Sequence, residues 1–150
     1  MKKKRFAAIT IALPVLVAIL AFPVAACTGD VSFSGASLSN ATMCTSVDTG
    51  TREPIEPSNE FSPDTPEIYC SVKLSNIPTG SEIAAQWIYV QGELENLSDF
   101  LIDEMSVTAS GTRYLSFSET KPENGWPTGD YKVKLYLDGK EKTSATFKVE

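Results

Sequence analysis

Nineteen carboxylates, three thiols and no histidine define the side-chain chemistry open to this 150-residue chain. Carboxylates act in pairs when one holds a proton and the other is ionised. By spacing, Glu93 with Glu95, Asp99 with Asp103, and Glu119 with Glu123 are the candidate pairs. Glycosidases need only two such groups at a fixed separation. A solvated acidic face is the favoured account of the same residues, since 19 acids on a small domain make chance pairs common. Asp48, Glu53 and Glu56 are candidate calcium ligands, but no Asp-rich loop with a following glycine supports them. The absence of histidine removes the commonest general base near neutral pH and the commonest metal ligand. It excludes a Ser-His-Asp triad, a Cys-His dyad and the usual histidine-bearing zinc sites. The expectation is therefore no enzyme, no catalytic residues, no metal and no cofactor.

The thiols carry the sharper signal. Lys2, Lys3, Lys4 and Arg5 form a positive start, and Phe6 to Leu20 is apolar except for Thr10. Small residues then close the segment. Charge, apolar run and small residues in that order make a secretory signal. Its last four residues, Val24-Ala25-Ala26-Cys27, resemble the lipobox of bacterial lipoproteins. The resemblance implies that Cys27 receives a diacylglyceryl group on sulfur and becomes the first mature residue after cleavage. Two other readings fit the same residues. Val24 and Ala26 also suit ordinary signal cleavage, which would release a soluble protein. An uncut Phe6 to Ala26 is long enough to span a bilayer, where about 20 apolar residues suffice, although Pro14 and Pro23 disturb such a helix.

If Cys27 carries lipid, Cys44 and Cys70 remain as an even pair. The exported compartment is oxidising in many bacteria, so a Cys44–Cys70 disulfide is expected. Closing a loop of about 26 residues would stabilise by about 3.5 kcal/mol in the chain-entropy model. Two free buried thiols are the alternative. Residues 1–26 hold four of the 13 basic residues and none of the 19 acids, so the mature chain carries 9 against 19, net −10. Phosphate repels such a chain, so no nucleic-acid partner is expected. Anionic lipid repels it too, so the lipid on Cys27 must hold it to the membrane.

These residues need a scaffold, and the hydrophobic pattern supplies one. Residues 27–43 read as a lipidated flexible tether, with Thr28 to Asn40 rich in Ser, Gly, Ala and Thr. A run of this length typically spans about 20 Å. Val31 and Phe33 could instead begin a strand. Asp48 to Pro66, with four prolines and five acids, reads as an extended surface loop. From Ile68 the period becomes two, giving strands near Ile68 to Ser75 and Ile83 to Val90, with a turn at Asn76 to Gly80 between them. Gln91 to Asp103 is ambiguous: Leu94, Leu97, Leu101 and Met105 fit a helical stripe, while Met105, Val107 and Ala109 alternate. A loop or short helix is expected there, then strands over Ile102 to Ala109 and Arg113 to Ser118, divided by Gly111. Tyr131 to Leu137 and Lys140 to Val149 flank Asp138-Gly139, a dipeptide suited to a two-residue type I′ hairpin turn.

About seven short strands with regular turns indicate an antiparallel β-sandwich over residues 44–150. Trp87 on a central strand resembles the buried tryptophan of immunoglobulin-like folds. Pro127-Thr128-Gly129-Asp130-Tyr131 resembles their tyrosine corner. The segment from Gly125 to Gly139 also resembles the C-terminal part of immunoglobulin-like domains in uncharacterised microbial envelope proteins. Trp126, in a Gly/Pro loop, is the candidate aromatic contact for a sugar or protein; a core plug is the other reading. The combined expectation is an exported, lipid-anchored module facing the periplasm or cell exterior. It binds a protein or glycan without catalysing a reaction. The alternatives are a structural subunit of an envelope assembly and a small carboxylate hydrolase.

Overall fold

The computed structural model describes residues 35–150. The signal segment, Cys27, Val31 and Phe33 lie outside the described residues. Among the described residues every regular element is a strand, and no helix is long and apolar enough to cross a membrane. The strands are β1 (Ser37–Val47), β2 (Pro54–Pro57), β3 (Glu60–Phe61), β4 (Glu67–Gly92), β5 (Phe100–Thr120), β6 (Gly129–Leu137) and β7 (Lys140–Val149). They form one sheet in the order β2-β1-β4-β6-β7-β3, with β5 attached to β4. The sheet is mixed, because β3 runs parallel to β7 while the other ladders are antiparallel.

The spine is β4, a 26-residue strand. Alternation along it puts Ile68, Cys70, Val72 and Leu74, then Ile83, Ala85, Trp87 and Tyr89, into the core. Asn76 to Gly80 does not reverse the chain, as the turn signal suggests. It bends one strand. Asn76 (φ 51°) and Gly80 (φ 88°) take left-handed backbone, and the ladder to β5 slips on both sides of Ile77. Gly111 (φ 79°) bends β5 opposite this point instead of ending it. The first half of β4 pairs with β1, the second half with β6, and β5 follows both halves. The sheet thereby curls until β1 lies against β7, with which it does not pair.

Strand β1 starts at Ser37, inside the expected tether, because Leu38 and Met43 are apolar enough to bury against β4. The expected surface loop at 48–66 holds two short strands. Pro54–Pro57 pairs with β1, and Glu60–Phe61 delivers the buried Phe61 to Phe147. The β6–β7 hairpin forms as the sequence reads, with Asp138 (φ 48°) and Gly139 (φ 78°) as its turn residues.

The expected Cys44–Cys70 disulfide is not formed; both thiols are free and buried. The register explains why. Met43 stands opposite Cys70, and Cys44 opposite Tyr69. Residues one apart across a ladder point to opposite faces. Cys70 points into the core beside Met43. Cys44 is shielded on the far face, where β2 pairs alongside β1. Burial raises both thiols, Cys70 up to about 12, so neither is a ready nucleophile.

Candidate functional site: an apolar recess beside the free edge of β5

One end of the core is built from rings. Trp87 packs edge-on to Phe147 at 6.1 Å between ring centres, and Tyr131 stacks on Phe147 at 4.8 Å. Tyr89 and Trp126 meet Tyr131 edge-on at 5.1 and 6.0 Å. Such offset and edge geometries add about 0.5–1.5 kcal/mol per pair beyond area burial. The Tyr131 hydroxyl donates to the Pro127 carbonyl at 2.6 Å, four residues upstream. Burial chiefly, with Tyr89 and Glu93 nearby, raises its pKa. Trp87 Nε1 is buried without a partner.

Above these rings lies a recess of about 170 Å³ with an entirely apolar exposed lining. Tyr89, Trp126 and Tyr131 form its floor, while Leu94, Leu97, Phe100 and Ile102 stand around it. The segment between β4 and β5 is no helix; it is a loop pinned at several points. The Tyr89 hydroxyl donates to the Thr128 carbonyl and accepts from the Leu94 amide, both at 3.1 Å. The Glu93 amide donates to Thr128 O at 3.0 Å, and Thr128 Oγ1 donates to Glu93 Oε2 at 2.8 Å. The Asp99 amide donates to Val90 O at 3.1 Å. Gly92 (φ 155°) permits this closeness, since a Cβ there would sit 2.2 Å from Thr128 O. The recess is therefore held open by hydrogen-bonded backbone.

Trp126 is placed differently from the expected exposed contact. It is 4% exposed. Its Nε1 donates to Thr65 O and its amide to Pro63 O, each at 2.9 Å. It plugs the core and shows the recess only an inner surface. The outward aromatic is Phe100, 49% exposed, followed by Leu101 at 47% and Ile102 at 39%. Trp87 pairs with Asp103 and Ile88 with Leu101, so Ile102 is an extra residue in the ladder. This bulge turns Ile102 toward the recess beside Phe100. Sequence reasoning missed the cluster because Leu94, Leu97, Leu101 and Met105 satisfy a helical period. The legible signal was Phe100-Leu101-Ile102, three consecutive apolar residues bounded by Asp99 and Asp103.

Of the carboxylates, none of the three expected pairs is the one brought together. Asp103 and Glu119, from two different pairs, meet across the bend of β5. Burial first, then the hydrogen bond and negative charge of Asp103, push Glu119 up to about 7. Glu119 Oε1 is buried without a partner. Asp48, a candidate calcium ligand, accepts instead from the Gly50 and Thr51 amides at 2.8 and 2.7 Å, which lower its pKa. Among the described residues no three potential metal ligands gather.

No family model and no curated protein matches the chain. Among solved structures, an alkylpurine DNA glycosylase of Pseudomonas fluorescens bound to DNA containing an abasic site analog is similar, at 14% identity and a TM-score of 0.46. A GH3 beta-glucosidase of Bifidobacterium adolescentis is similar at 8% identity and a TM-score of 0.37. The matches cover 77% and 76% of this chain but only 30% and 17% of those proteins. Likeness at that level carries no functional weight.

Proposed function

We propose that this chain is a lipoprotein of the bacterial cell envelope, held by lipid on Cys27, whose β-body is a non-enzymatic binding or accessory module. The recess beside Phe100 and Ile102 carries the binding part of the reading. A pre-formed apolar hollow with exposed aromatic and aliphatic rims is a contact surface, since isolated domains rarely leave such groups in one cluster. Val24-Ala25-Ala26-Cys27 behind a basic and apolar leader carries the anchoring part. One lipid chain binds only marginally, whereas a diacyl group holds firmly.

The body itself reads as a fibronectin III-like or immunoglobulin-like sandwich. In support, β1, the first half of β4 and the second half of β5 lie side by side, and the first half of β5, the second half of β4, β6 and β7 do the same. The Tyr131–Pro127 hydrogen bond and the buried Trp87 fit that reading. A second reading, a structural subunit joining an assembly through a sheet edge, is favoured by the outer edge of β5, which pairs with no strand among the described residues.

The test is Cys27→Ser in the native host. Unprocessed precursor, or loss of the protein from the membrane fraction, is expected. Unchanged detergent partitioning and an acyl-free first residue would overturn the anchor.

A further inference from the structure

We propose that the outer edge of β5, from Asp103 to Ala109, accepts an extended basic segment of a protein partner as an added strand, with a large apolar side chain of that segment seated in the recess at Phe100 and Ile102. This deepens the binding-module reading and rests on it.

Three features of the molecule converge on that edge. First, β5 pairs with β4 and with no other strand among the described residues. Its outer row of N–H and C=O groups is open to a backbone, which a small molecule cannot match along its length. Second, the edge leaves core unfinished. Met105 and Val107 pack against the core and stand opposite the inward Ala85 and Ile83, yet they remain only partly buried. Inward side chains of a further strand would cover them, as one strand covers the next within the sheet. Third, the run of exposed Phe100, Leu101 and Ile102 continues directly from the edge into the recess.

Charge selects the occupant. Residues 91–109 contain Glu93, Glu95, Asp99, Asp103 and Glu104 and no lysine or arginine, and all five acids are exposed. A second copy pairing antiparallel along this edge would set acids against acids. Nucleic acid and anionic lipid meet the same repulsion. A cationic strand is attracted, and its apolar residue finds the hollow. Glu93 bonds Thr128 and Glu104 accepts from Gln86, so both are held in place on the rim.

The experiment uses the full-length, detergent-solubilised protein and a fluorescent peptide of about ten residues, alternating lysine and valine with one central tryptophan. Two control peptides replace lysine by glutamate, or two valines by proline. Saturable binding of the lysine peptide is expected. It should weaken at least tenfold in the glutamate and proline peptides and in the E95Q/D99N/E104Q protein. Hydrogen exchange should slow at 100–109 and not in β6 or β7. Equal binding of the proline peptide would mean charge attraction without strand addition and overturn the inference. So would protection elsewhere, absent binding of the lysine peptide, or self-association through β5. If residues 100–109 are shielded in the native envelope although the peptide fails to bind, strand addition falls and the binding-module reading stands. If they are neither shielded nor bound, both fall.

Discussion

Two hairpins of one sheet end in opposite conditions. The β6–β7 hairpin is closed on all sides: a tight Asp138-Gly139 turn, a ladder to β4, and Tyr131, Val133, Leu135, Phe147 and Val149 buried beneath. The long β4–β5 hairpin is closed on one side only. Its β4 strand sends two runs of alternate side chains into the core, and its β5 strand exposes Phe100, Leu101 and Ile102. Alternating apolar residues specify a strand in both cases. What differs is whether a neighbour arrives on the far side. The first hairpin holds the fold together, and the second leaves it an unfinished border.

The largest expected effect lies on the closed side. Trp87→Ala should cost about 3–5 kcal/mol in denaturant unfolding, because the cavity beneath Phe147 cannot collapse. Trp87→Phe should cost clearly less, since it keeps a ring and removes a buried N–H that has no acceptor. Near-wild-type stability of the alanine variant would break the contrast. Tyr131→Phe should come next, at about 1–2 kcal/mol, for the lost bond to Pro127.

Glu119, raised by burial first and then by its hydrogen bond to Asp103, gives a pH-dependent effect. Folded, Glu119 keeps its proton up to about 7, against an ordinary 4.5. The folded state therefore binds the extra proton between those values. This stabilisation is full below pH 4.5 and is lost as pH rises through about 7. Glu119 is only half-buried, so screening reduces the effect to about 1 kcal/mol. Glu119→Gln should abolish that slope while leaving the rest of the pH profile in place. An unchanged slope would mean the two carboxyls do not share a proton. Smallest of all, Phe100→Ser or Leu101→Ser should move stability by no more than about 0.5 kcal/mol. A larger loss would place these residues in the core and remove the border.

Legibility in the sequence followed the same division. The closed hairpin could be read directly in its Asp-Gly turn and in the inward Ala145, Phe147 and Val149, though not in the one-residue slip of its ladder between Leu135 and Tyr136. Trp87 and Tyr131 also fell where their neighbours suggested. The bends did not read correctly: Pro78 and Gly80 look alike whether the chain reverses or merely kinks, and only the second half of β4, pairing onward with β6, decides. The Cys44–Cys70 bridge failed because sequence separation says nothing of face, and a one-residue offset put the two sulfurs on opposite sides. Phe100 was hidden by the leucines around it, which satisfy two periods at once. Asp103 and Glu119 are sixteen positions apart on one strand; they meet through the bend at Gly111, which no spacing rule encodes.

The most direct test is hydrogen exchange of the protein in its native envelope against the same protein purified in detergent. Slowed exchange confined to residues 100–109 in the envelope, with β6 and β7 slow in both, is the predicted result. Equal exchange at 100–109 in the two samples would contradict the account, since the border would then be bare where the protein works.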